Sequence, residues 1–273
     1  MKKSIIVILL LIGLFSCQAG DSIYSPESSE DTSYYNYKRN IIFETDHGDC
    51  IVRSGTGDKI EVNVEYQFDP PENGKVTIKE KSNSLVFEEV IKSVVGNTTY
   101  GKSIWTVTLP KNKEYNVYVR THHGGISIDD LHGEFDIETH TGNINADNIR
   151  LRGNSIFASI NTGEINIGLC DKAEYDLNII SNHADAVLIC DINSVFGTFE
   201  FSKAVYGEGV FESPFEFETE EVVESQNEYS FYDSNTGEYE KKKYLVKSFI
   251  RGSIDPKITI QTSTGSAILR ERQ

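Results

Sequence analysis

The chain has 273 residues, 38% of them hydrophobic, with 42 acids against 26 Lys and Arg and a formal charge of −16. That size allows a full core in one elongated domain or two smaller ones. The charge repels phosphate backbones and an anionic leaflet, which excludes nucleic acid as a partner and suits a solvated exterior surface with divalent cations nearby.

Lys2 and Lys3 precede an apolar run from Ile5 to Phe15 that closes on Ser16-Cys17. This reads as a signal peptide over residues 1–16, too short to be a permanent membrane span. Leu14-Phe15-Ser16-Cys17 resembles a bacterial lipobox, and the resemblance implies that Cys17 becomes the lipidated first residue after cleavage. The alternatives are a plain secretory signal or an uncleaved anchor; in each the chain is exported. Loss of Lys2 and Lys3 takes the formal charge from −16 to −18.

Residues 17–40 are rich in Ser, Asp, Glu, Asn and Tyr and read as a flexible tether, with docking of tyrosines 24, 34, 35 and 37 on a neighbour or over the first coil as the alternative. A single β-solenoid domain is expected over 41–273, with an insertion at 205–247. Ile41 to Val52 is a strand, a turn at Gly48 and a return. Ile60, Val62, Val64, Tyr66 and Phe68 alternate on one face, and Asp69 to Gly74 supplies a turn. Lys75–Glu80 and Ser84–Glu89 form a strand pair, 91–103 reads as a loop, Trp105–Leu109 is a strand stopped by Pro110, and Tyr115, Val117 and Val119 lead into the next turn.

From Thr121 to Leu188 one phrase recurs: Thr-His-His-Gly-Gly-Ile at Gly124, Thr-His-Thr-Gly-Asn-Ile at Gly142, Ile-Asn-Thr-Gly-Glu-Ile at Gly163 and, degraded, Ser-Asn-His-Ala at Ala184. Outlying copies lie at Gly48 and Gly265. The central glycines are 18 and 21 residues apart, and Leu131-His132-Gly133 and Leu151-Arg152-Gly153 add a second turn signal half a period away. A short alternating strand with a Gly at a fixed place, repeated about every 20 residues, is the pattern of a solenoid whose coils bury their apolar faces on one another.

The early Gly turn, the meander, Leu109-Pro110, the spacer Lys111 to Lys113, the strand Tyr115 to Val119 and the serial Thr-x-x-Gly-x-Ile units together resemble the bacterial family of "putative adhesins" of unknown function. The resemblance covers 41–200 and 255–270. It implies an all-β fold, a right-handed parallel β-helix-like solenoid with an N-terminal β-meander and, here, a C-terminal hairpin insertion, in a secreted or surface-anchored protein. No catalytic residues come with it. After Ala204 the sequence departs from the pattern into an acidic, aromatic segment, read either as a cap over the open end of the stack or as a binding surface.

Chemistry is sparse. Five of the six histidines fall beside the turns, and convergence of His122, His123, His140 and His183 on a transition metal is the sharp reading, against ordinary polar turn residues. No cofactor is expected. Cys170 and Cys190, 20 residues apart in similar phrases, form a candidate disulfide if their strands align, and otherwise stay free thiols; Cys50 has no evident partner. Asp129-Asp130 is the nearest approach to a carboxylate pair, but a turn explains it. The expectation is a non-enzymatic envelope lipoprotein at the outer membrane or cell surface. It would hold membrane lipid through its acyl anchor and act as an adhesion or interaction scaffold toward a surface glycan or envelope protein. The alternatives are a carbohydrate- or peptide-binding module built on the insertion, and a glycan-active enzyme on a β-helix.

Overall fold

In the strand Glu114–His123 the side chains of Tyr115, Val117 and Val119 are buried and those between them are not. Phe135 and Ile137 repeat this one coil on, in His132–Thr141. An apolar face of period two needs a second sheet to cover it, and the short apolar strand after each Gly turn supplies one. The computed structural model, which describes residues 29–69, 71–92, 100–233 and 238–272, is accordingly an all-β solenoid. Its two sheets wrap one continuous core, and no α-helix occurs among the described residues.

The strands before the turns form the first sheet. Its spatial order is Gly74–Glu80, Ser84–Ile91, Asn40–Thr45, Glu114–His123, His132–Thr141, Ser155–Thr162, Leu177–Ser181, Lys257–Thr262, Gly197–Ala204, Glu238–Arg251 and Thr219–Asp233. The strands after the turns form the second: Ser29–Tyr35, Ile60–Asp69, Tyr100–Pro110, Gly48–Gly55, Ile126–Asp129, Ile144–Leu151, Ile165–Leu169, Ala186–Cys190, Ala267–Glu271 and Phe211–Glu212. Pairing is parallel through eight coils among the described residues and antiparallel at both ends. Aromatic rings stack between neighbouring coils inside, Phe43 on Phe87 at 4.6 Å and Phe135 on Phe157 at 5.9 Å between centroids. Each such ring removed from water is worth about 1.5–3 kcal/mol.

Coil order departs from chain order at both ends. The coil that carries Gly48 lies inside the coil made by Ser84–Ile91 and Tyr100–Pro110, although it comes first in sequence. The coil that carries Gly265 comes last, yet slots between that of Ala184 and that of Gly197–Glu212.

Three boundaries differ from the sequence reading. Ser29–Tyr35, placed in the tether, pairs with Ile60–Asp69; Tyr35 packs on the core, and Tyr37 Oη donates to the Glu114 carbonyl at 2.8 Å. Tyr35 and Tyr37 thus dock while Tyr34 stays exposed, and residues 1–28, including Cys17 and Tyr24, lie outside the described residues. Tyr100 to Ser103, read as loop, belong to a strand because they pair with Phe68 and its neighbours. The insertion's return strand runs past Lys247 to Arg251, since Val246 to Arg251 continue its ladder with Gly197–Ala204.

Candidate interaction surface

The recurring Thr-x-x-Gly phrase has a physical basis at the turn edge. A Cβ on Gly124 would lie 2.0 Å from the Gly48 carbonyl oxygen, one on Gly142 2.0 Å from that of Gly124, and one on Gly163 1.8 Å from that of Gly142. Only glycine lets adjacent turns approach so closely. The small polar residue three positions earlier is buried, and its hydroxyl caps the neighbouring turn. Thr121 Oγ1 donates to Gly48 O, Thr139 Oγ1 to Gly124 O at 3.2 Å, and Thr262 Oγ1 to Ala184 O at 3.0 Å. In the Gly163 coil a register shift moves this place to Ser159, whose hydroxyl is buried without a partner. Gly265 packs on Ala184 in the same way, and Gly209 on Gly265. Sequence reasoning missed Gly209; its signal is the apolar Val210-Phe211 that follows it.

In the outermost coil at the other end, Glu89 takes the hydroxyl's place, since Glu88 pairs with Glu44 and Thr45 follows. Glu89 is only 3% exposed, and its Oε2 accepts the His47 N–H at 2.8 Å. Its Oε1 and the Ser103 hydroxyl beside it are both buried without a well-formed hydrogen bond. Burial raises the Glu89 pKa above the ordinary carboxylate value.

The turn histidines do not converge. His47 stacks on His123 at 4.8 Å between centroids, His122 lies 5.8 Å from His140, and His183 sits separately with Nδ1 3.5 Å from Thr264 Oγ1. Adjacent residues on a strand face opposite ways, which splits His122 from His123. Burial and the neighbouring His123 lower the pKa of His47. One histidine has a carboxylate close by, Asp46 Oδ1 being 3.3 Å from His122 Nδ1. Among the described residues no three His, Cys, Asp or Glu side chains group to hold a metal. The His122 and His140 side lines an open groove of about 570 Å³ with Glu44, Asp46, Glu88, Arg120 and Glu138. Arg120 is already engaged by Asp136 and Glu138.

At the opposite corner Asn112, Asp130 and Asn148 have φ of 64°, 53° and 56°, a left-handed conformation that Asn and Asp tolerate best after glycine. Asp130 accepts from Ser54 Oγ at 2.6 Å, Asn148 Nδ2 at 2.7 Å and Lys111 Nζ at 3.0 Å, and these bonds lower its pKa. It is a turn device, not half of a catalytic pair.

Of the two alternatives for Cys170 and Cys190 the structure has the free thiols, and Cys50 is free as well. Gly168 pairs with Ile189, so Cys190 falls opposite Leu169, one residue out of step with Cys170. In a parallel ladder that offset sends the two side chains to opposite faces. Burial pushes the Cys190 thiol up to about 12 and raises that of Cys50.

The insertion divides in two. Phe211, Phe215 and Phe217 close over Phe201 and Phe249 at the end of the core, with Arg251 4.1 Å above the Phe215 ring and Lys247 above Phe217. This part is a cap. Beyond it the hairpin Thr219–Asp233 and Glu238–Arg251 extends the first sheet, with salt bridges Glu220–Lys247 and Glu224–Lys243. Among the described residues Thr219–Asp233 pairs only with its hairpin partner.

No protein family and no curated protein matches the sequence. Nine solved chains match. A "putative cell adhesion protein" from Clostridium sporogenes is 11% identical over 90% of this chain and 100% of that one, with a TM-score of 0.41. A "putative adhesin" from Bacteroides fragilis is 10% identical over 91% and 98%, with a TM-score of 0.33. A "putative lipid binding protein" from Parabacteroides distasonis is 12% identical over 90% and 97%, with a TM-score of 0.33. At such identities and scores the fold rests on the strand pairing above and the function on the residues.

Proposed function

We propose that the chain is an exported, lipid-anchored protein of the bacterial cell envelope that acts as a rigid adhesion or interaction scaffold and performs no catalysis. The observation that supports this reading is the polarity of the stack. The first strand among the described residues, Ser29–Tyr35, lies at one end, and the hairpin of Thr219–Asp233 and Glu238–Arg251 lies at the other. Eleven strands of the first sheet at about 4.8 Å spacing put the two ends roughly 48 Å apart. An acyl chain on Cys17, a further twelve residues from Ser29, would hold the stack by its N-terminal end and leave the hairpin outermost. The capped core and the polar outer faces of both sheets suit a surface that binds by contact.

Metabolic labelling with an alkyne-bearing fatty acid tests the anchor. The wild type is expected to take the label and partition into detergent, and Cys17→Ala to lose both properties while remaining exported. A Cys17→Ala protein that still partitions with membranes would overturn the anchoring, and protease treatment of intact cells reports whether the hairpin faces outward.

A further inference from the structure

Of the thirteen large apolar side chains exposed among the described residues, eight lie between Phe196 and Ile254, at the capped end of the stack. The same end is acidic: residues 204–251 contain eleven acids against five Lys or Arg, and all five bases lie on the return strand, which leaves Thr219–Asp233 and the segment before it without Lys or Arg. Both features meet on Thr219–Asp233, the last strand of the first sheet. Val222 and Val223 are 58% and 43% exposed on its two faces. Glu216, Glu218 and Glu221 are exposed and make no ion pair among the described residues, unlike Glu220 and Glu224. Over Thr219–Glu224, no strand among the described residues pairs with the outer edge of this strand.

We propose that this edge is an acceptor for an extended, basic segment of a partner protein, which adds to the first sheet as a further strand. Main-chain hydrogen bonds supply the attachment in such a pairing, and side chains flanking the edge choose the sequence. Here Val222 and Val223 offer apolar contact on either face, and Glu218 and Glu221 select lysine or arginine. The same carboxylates disfavour a second copy of this chain, because self-pairing would set like charges beside one another across the strands. The inference rests on the reading of the capped end as partner-facing, but it is tested in solution, where the outcome does not depend on whether Cys17 is acylated.

The test uses the purified protein and a fluorescent octapeptide that alternates lysine with valine or threonine, followed by anisotropy at low and at physiological salt. Three comparisons accompany it: the peptide with glutamate for lysine, the lysine peptide N-methylated at alternate residues, and the Glu218→Lys/Glu221→Lys protein. The lysine peptide is expected to bind, with at least a tenfold loss on glutamate replacement, on N-methylation and in the double variant. Failure of the lysine peptide to bind at millimolar concentration overturns the proposal. Equal binding of the N-methylated peptide overturns it too, because attraction by charge alone would need no backbone donors, and that arm stands even if the double variant folds poorly. An affinity within twofold of wild type in a folded double variant would move the site elsewhere.

Discussion

Replacing Gly142 by alanine probes the contact on which the stack depends. The new Cβ would lie 2.0 Å from the Gly124 carbonyl oxygen and 2.6 Å from its carbon, and the residue has φ of +153°. Cβ contacts under 3.0 Å are essentially never seen, so two coils must part by about an ångström or the turn must rotate. Overpacking of this kind costs about 1–3 kcal/mol. Weakening the bond from Gly142 N to Thr162 O, 2.9 Å long, adds about 1 kcal/mol, and the strained dihedral about 1 kcal/mol more. The expected loss of roughly 3–5 kcal/mol is a large share of the 5–15 kcal/mol typical of a domain. Urea denaturation followed by circular dichroism in the β-sheet band measures it from the midpoint shift at constant slope. Gly57→Ala is the control, because a Cβ there meets only the Lys59 carbonyl at 3.8 Å. A Gly142→Ala protein within 0.5 kcal/mol of that control, on the order of an ordinary surface change, would refute the close-approach argument.

Thr139→Val keeps the shape of a fully buried side chain but removes the hydroxyl that caps Gly124 O, and should cost about 1–2 kcal/mol in the same assay. Ser159→Ala, which removes a hydroxyl without a partner, should be close to neutral. Because the folded pKa of Glu89 is raised above its unfolded value, its stabilising term is full below the ordinary carboxylate pKa and is lost as pH rises through the folded one. Glu89→Gln should therefore melt higher than wild type at neutral pH, with the gap closing in acid; a gap that does not change with pH would contradict this. Of Cys50, Cys170 and Cys190, only the half-buried Cys170 should react with iodoacetamide in the native protein, and peptide mapping without reductant should find no link between Cys170 and Cys190.

The turn glycines were legible because each coil repeats a local demand: a hydroxyl to cap a carbonyl, a glycine to admit it and an alternating strand to follow. The two-sheet core followed from residues such as Phe135, Ile137 and Ile144, whose spacing admits no helix. Ser29–Tyr35 was not legible because all seven of its residues are exposed or half-exposed and it shows no apolar face. It is held by its backbone ladder and by polar links such as Asn63 Nδ2 to Glu30 Oε1 at 2.7 Å. Coil order was hidden for a different reason. The phrases at Gly48 and Gly265 say that each belongs to the stack but not where, since every coil presents the same turn to its neighbours. The histidine pairs depend on register, and a single bulge such as that between Thr139 and Thr141 alters it without a mark in composition; the Cys170–Cys190 offset did leave a mark, their spacing of 20 against the 21 between Gly163 and Ala184.

The inserted position of the last coil has a testable consequence. Lys257–Thr262 and Ala267–Glu271 each have a parallel neighbour on both sides, and Ile258, Ile260, Ala267 and Leu269 fill the core between them. Among the described residues Gly197–Ala204 and Phe211–Glu212 make no other parallel pairing, so apart from the connecting segment 191–196 the cap and hairpin are paired to the stack through residues that come after them in the chain. Truncation before Lys257 should uncover Leu177, Ile179, Ala186 and Leu188 at a bare coil end and set residues 197–251 free of it. An isolated hairpin with a few flanking residues is marginal in water. Limited proteolysis of the truncated protein is therefore expected to remove 197–251 quickly while the coils up to Cys190 resist for longer. A truncated protein whose hairpin survives digestion as well as the wild type's would mean that the capped end is a folding unit of its own, with the last coil a fastening and not a structural part.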